Sequence, residues 1–108
     1  MIIIMSMTDE NVARLYKYIG KKLKEKRRAL GKKQEDIAAE LHVSRTSVTN
    51  IESGIQKAPI YLLYNFCHIL NAEIFDIMPK ASDLKKTRNV RVHGTLTKEL
   101  SEVLEQLK

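Results

Sequence analysis

The residues with the capacity for chemistry are few and scattered. Cys67 is the one cysteine of the 108-residue chain, and His42, His68 and His93 are its three histidines. A lone thiol forms no intramolecular disulfide, and histidines this far apart offer no zinc-binding spacing. No paired acid–base constellation and no phosphate-cradling glycine loop is present, so an enzyme is the class these residues support least. Cys67 falls on the inward side of an apolar stripe, where a buried structural thiol is expected rather than a nucleophile. The polar chemistry gathers in two stretches instead. Lys17, Lys21, Lys22, Lys24, Lys26, Arg27 and Arg28 crowd the first. They do not all share one helical face, so some are ordinary solvated charges. The second is residues 34–54, QEDIAAELHVSRTSVTNIESG, whose later half opens with small polar residues. A formal net charge of +6 favours an anionic partner without identifying it.

These residues must be positioned by helices, and the punctuation of the sequence says which. Thr8 or Asp9 caps a first helix running to about Leu30, with Gly31 ending it. Its apolar stripe is Val12, Leu15, Tyr16, Ile19, Leu23 and Leu30, interrupted on the same face by Arg27. Gly20 weakens the middle of this helix, and is read as a kink or as the join between an extension and the helix proper. A second helix spans about Gln34 to Leu41, with Ile37, Ala38 and Leu41 inward. Ser44 caps a third from Arg45 to Ser53, with Val48 and Ile51 inward and Gly54 as its stop. Pro59 fits the first turn of a fourth helix reaching Leu70, whose buried face is Leu62, Leu63, Phe66, Cys67 and Leu70. Asn71 suits a left-handed turn, and a short fifth helix covers about Glu73 to Met78 before Pro79. Lys80 to Arg88 read as a polar linker, Val90-Arg91-Val92 alternate as a short strand does, and Thr95 or Thr97 caps a last amphipathic helix. Met1-Ile2-Ile3-Ile4-Met5 is apolar but too short for a signal peptide, and no run has the length of a membrane span, so a cytoplasmic protein is expected.

Residues 34–54 resemble the helix-turn-helix of the lambdoid phage repressor and Cro group, the Xre family. The resemblance covers about Tyr16 to Met78 and rests on Gln34, Ala38, Val43, Ser44, Val48, Ile51, Glu52 and Gly54. It implies an all-α fold: a five-helix lambda-repressor-like DNA-binding domain over residues 16–79. Residues 1–15 form an N-terminal helix extension, and residues 80–108 a linker and C-terminal dimerisation tail. Ala38 is small because two helices cross there, and Ile37, Val43, Val48 and Ile51 wedge the angle between them. The sequence departs from the family at His42, where glycine is frequent because the turn needs positive φ.

The resemblance also implies roles. The reader positions fall on Arg45, Thr46 and Asn50, with Ser47 and Thr49 nearby. Arginine donates twice to guanine, asparagine pairs with adenine, and threonine offers a hydroxyl or a methyl. Gln34 matches the family glutamine that holds a phosphate, Lys33 adds a second contact, and Lys57 matches another. Ser44 opens a helix N-terminus suited to phosphate. Arg27 and Glu52 match a family ion pair tying the first helix to the third. The partner is double-stranded DNA, with no cofactor and no metal, and the function a repressor bound to a palindromic operator as a homodimer. The stripe Leu96, Leu100, Val103, Leu104 and Leu107 is too apolar for an isolated helix and is assigned to dimerisation rather than to its own domain. The alternative is a DNA-binding antitoxin whose tail binds a toxin protein.

Overall fold

The computed structural model describes residues 7–84. Among them run five α-helices and no strand: α1 Asp9–Ala29, α2 Gln34–Leu41, α3 Arg45–Ser53, α4 Ile60–Ile69 and α5 Ile74–Ile77. This is the all-α architecture that the sequence implies. The helices belong to a compact unit bounded at Ser6 and Pro79, and Lys80 begins a second unit. The opening isoleucines, Val90–Val92 and the stripe Leu96, Leu100, Val103, Leu104 and Leu107 lie outside the described residues.

Capping chemistry sets the helix starts. Thr8 Oγ1 accepts the Asn11 N–H at 3.2 Å, and Ser44 Oγ accepts the Ser47 N–H at 3.0 Å. At α2 and α5 a carboxylate in the first turn reaches back instead. Asp36 accepts the Lys33 N–H at 3.0 Å and Asp76 that of Glu73 at 2.9 Å. Each bond satisfies a backbone group that the helix geometry leaves without an internal partner. Pro59 stands immediately before α4 rather than inside its first turn.

One device ends four of the five helices. The N–H groups of Lys32, Val43, Ile55 and Ala72 donate back to the carbonyls of Arg27, Ala38, Asn50 and Cys67 at 2.9–3.2 Å. The residue before each donor turns left-handed: Gly31 at φ 69°, His42 at 58°, Gly54 at 84° and Asn71 at 56°. This is the Schellman closure, and it reverses the chain in few residues while satisfying terminal carbonyls.

Every helix contributes one side chain to the centre of the core. Leu23, Ile37, Val48, Phe66 and Ile77 are fully buried, and burying each stabilises the fold by about 1.5–3 kcal/mol. α1 packs on α3 and α5, and α2 on α3 and α4, so α3 is clasped from two sides. Cys67 lies in this core, and burial, aided by the charge of Asp76, pushes its thiol pKa up.

Other details differ from the sequence expectation. Leu30 is 49% exposed, because it caps α1 where the chain turns away from the core. α1 itself runs unbroken through residue 15, as the helix expected from Thr8 or Asp9 to about Leu30 does, with Asn11 buried and Leu15 and Tyr16 packed on the core. Gly20 is not a loose point but a contact point. A Cβ there would stand 2.5 Å from the carbonyl oxygen of Glu52 and 2.7 Å from its carbonyl carbon. Only a glycine lets α1 and α3 approach this closely. Residues 81–84, expected in a linker, form a helical turn, and Asp83 accepts the Lys80 N–H at 3.0 Å.

Candidate nucleic-acid interface

The angle between α2 and α3 follows from a turn and a wedge. His42, at φ 58° and ψ 41°, closes α2, and Ser44 opens α3 two residues later. Ala38 is buried at the crossing, and Ile37, Val48 and Ile51 are buried around it, with Val43 packed against them. The polar side of α3 is left outward. Arg45, Thr46 and Thr49 are exposed, and Ser47 and Asn50 are half-buried.

Beneath this outward face runs a line of hydrogen bonds. Arg27 of α1 grips Glu52 of α3 with two bonds, Nε to Oε2 at 2.7 Å and Nη2 to Oε1 at 3.0 Å. The side chains are only 9% and 2% exposed, so the pair is buried. The Arg27 Nη1 donates to the Lys32 carbonyl at 2.8 Å, fixing the α1–α2 turn as well. Glu52 Oε1 also accepts from Gln34 Nε2 of α2 at 3.0 Å. Thr49 Oγ1 lies 2.9 Å from Gln34 Oε1, to which it can donate, and 3.1 Å from the Arg45 carbonyl. One carboxylate thereby joins three helices. A buried pair of this kind stabilises little against an apolar replacement, but leaving one partner alone is costly.

Of the residues assigned to DNA from sequence, three meet at one place. Lys33 and Gln34 from the start of α2 and Arg45 from the start of α3 line an open concavity of about 360 Å³. Lys24, Arg27 and Arg28 of α1 complete its cationic wall, and Glu35 is its one acid. The Arg45 guanidinium lies 3.5 Å from the Glu35 carboxylate, both side chains being well exposed. Such an exposed pair is weak and exchanges readily for another anion or acceptor. Thr46, Ser47, Thr49 and Asn50 follow Arg45 along α3, and Ser44 caps it. Lys57 is exposed in the loop after Gly54 and does not line the concavity.

Sequence reasoning missed Glu35, Lys24 and Arg28 as neighbours of Arg45. For Glu35 a signal was available, since it adjoins Gln34 on the first turn of α2. Among the described residues no group of His, Cys, Asp or Glu could hold a metal ion, and no helix is long and apolar enough to cross a membrane.

A family model described as helix-turn-helix matches residues 23–77, just over half of the chain. The chain belongs to the helix-turn-helix family, of the Cro/Xre type. The matched stretch runs from Leu23 to Ile77 and so includes the central side chain of every helix. No curated protein and no solved structure matches this helix-turn-helix protein. The family is a DNA-binding one, and the helix-turn-helix protein is a DNA-binding regulator on that ground.

Proposed function

We propose that this helix-turn-helix protein is a sequence-specific repressor that binds a palindromic operator as a homodimer, reading bases with the N-terminal half of α3. The observation that carries the reading is the exposed polar edge of α3 seated on a buried ion pair. Its side chains are outward, while Arg27, Glu52 and Gln34 fix the helix beneath them. An edge of this kind enters the major groove, which presents a distinct donor and acceptor pattern for each base pair. Arg45 exchanges its weak bond to Glu35 for guanine O6 and N7. Asn50 pairs with adenine, and Thr46 meets a base through its hydroxyl or a thymine methyl. The Thr49 hydroxyl has partners within the protein, so its methyl is what it offers, beside Ser47. Lys33, Gln34, Ser44 and Lys57 hold phosphates, which set register rather than sequence. A single α3 reads few bases, so two copies read a two-fold operator with half-site centres roughly 34 Å apart. The protein acts in the cytoplasm, where it blocks transcription by occupying the operator.

Selection of bound duplexes from a random pool tests this. An inverted repeat with a G·C pair opposite Arg45 is expected. Arg45→Ala then relaxes that position at a cost of about 1–3 kcal/mol, while Lys33→Ala weakens all sequences alike. A pool that stays random while the protein binds it would leave only nonspecific affinity. Enrichment of a single half-site without its repeat would remove the homodimer.

A further inference from the structure

The positive charges of α1 are sorted by face. Lys17, Lys21, Lys24 and Arg28 recur at spacings of four, three and four residues along the helix. At 100° per residue they fall within about 60° of one another and extend along roughly 16 Å of helix. None of these four has an acidic partner among the described residues, whereas Arg14 pairs with Glu10, Lys22 with Glu25 and Arg27 with Glu52. Lys22 also lies over the Tyr18 ring, 5.5 Å from its centroid.

The row is placed beside the reading edge. At one end the backbone of Lys17 lies against Gly54, the residue that closes α3; a Cβ on Gly54 would stand 2.7 Å from the Lys17 Cα. At the other end Lys24 and Arg28 open onto the concavity that holds Arg45. The four cations therefore start next to the C-terminal end of α3 and finish next to its N-terminal end. Lys17 and Lys21 precede the stretch matched by the helix-turn-helix family.

From this placement we infer that Lys17, Lys21, Lys24 and Arg28 form a second, sequence-independent contact tract that follows the sugar–phosphate backbone of DNA alongside the groove read by α3. The inference rests on the DNA-reading assignment of α3 and adds phosphates that α2 and α3 do not reach. An unpaired row of cations on one face has the chemistry of a polyanion track, and each phosphate neutralised releases condensed counterions. The tract lengthens the footprint without altering which bases are preferred.

Two double variants of equal charge separate contact from long-range attraction. Lys17→Gln with Lys21→Gln removes two charges from the row, and Lys22→Gln with Lys26→Gln removes two from elsewhere on α1. Binding to a selected operator duplex is followed by fluorescence anisotropy over a salt series, with thermal melts confirming the fold. The row variant is expected to reduce the slope of log affinity against log salt by about 1.8, two phosphates at 0.9 each. Over a threefold rise in salt that is about a sevenfold difference from wild type. The off-row variant keeps the wild-type slope, and Lys17→Arg with Lys21→Arg restores it. Trimming the duplex flanks to the bases contacted by α3 abolishes the difference between variants. Equal losses in both double variants, or an unchanged slope in the row variant, overturn the tract while leaving the reading of α3 intact. Wild-type protein that binds no duplex even at low salt defeats both.

Discussion

Replacing Gly20 by alanine sets two effects of opposite sign against each other. Helix propensity alone makes Gly20→Ala favourable by about 1 kcal/mol in the middle of a helix. The packing of α1 on α3 makes it unfavourable. The new Cβ would lie 2.5 Å from the Glu52 carbonyl oxygen and 2.7 Å from its carbonyl carbon, where ordinary contact begins near 3.4 Å. The obstacle is backbone, so no rotamer change relieves it, and α1 must withdraw by about 1 Å. Overpacking typically costs about 1–3 kcal/mol, and an unyielding backbone puts this site at the upper end. After the propensity gain is subtracted, a net loss of about 2 kcal/mol remains. Urea denaturation followed by far-UV circular dichroism measures it, with an unchanged m-value showing that the loss is one of stability. For a domain of this size the melting temperature falls by roughly 8–16 °C. DNA affinity falls too, since Arg27 moves with α1 and draws on Glu52. Alanine at this position with stability equal to or above wild type would refute the close approach of α1 and α3.

Glu52→Ala strands the Arg27 guanidinium and is expected to cost about 3–5 kcal/mol, while Arg27→Met with Glu52→Leu recovers most of it; a denaturation cycle over the single and double variants checks this. Ser44→Ala removes the oxygen that accepts the Ser47 N–H and lowers stability by about 1 kcal/mol, with faster hydrogen exchange at the Ser47 amide as the local sign. His42→Gly relieves a left-handed residue and is neutral to stabilising by up to about 1 kcal/mol, whereas His42→Val is destabilising; melting temperatures of the two variants give the order. Cys67 holds its proton to higher pH in the folded chain than when unfolded, because burial raises its pKa. The folded state then binds more protons than the unfolded one above the usual thiol range, so stability falls as pH climbs through that window. The stability of wild type drops more steeply there than that of Cys67→Ala, which denaturation at several alkaline pH values tests.

Helix order and helix ends were legible because their signals are local. Thr8, Ser44, Gly31, Gly54 and Asn71 carry their conformational preference with them, and each stands at a helix terminus in the fold. The core stripes of α2, α3 and α4 were legible for a similar reason, since spacing alone assigns a face. Leu30 obeyed the stripe and is nonetheless exposed, because spacing does not say where the partner helix ends. Phe75 is 85% exposed on a helix of four residues, too short to bury more than one side. Gly20 could be read only as a weakness, since its function is contact with a backbone more than thirty residues away. The bonds from Gln34 to Glu52 and Thr49 span 18 and 15 residues, and no periodicity announces them. The turn at 81–84 did leave a trace, an aspartate three residues after Lys80 of the kind that reaches back to a helix start.

The shared Glu52 carboxylate decides how far the specificity of this protein can be re-engineered. Arg45 and Thr46 make no bond to that carboxylate, so both can be varied in a library while the scaffold stays as it is. Thr49 cannot be varied as freely, because a side chain without its hydroxyl removes a hydrogen-bond partner of Gln34. Grafting α3 alone onto another chassis would transfer the lettering without its alignment. A portable unit must also carry Arg27 and Gln34, which makes the smallest transplantable cassette three helices rather than one.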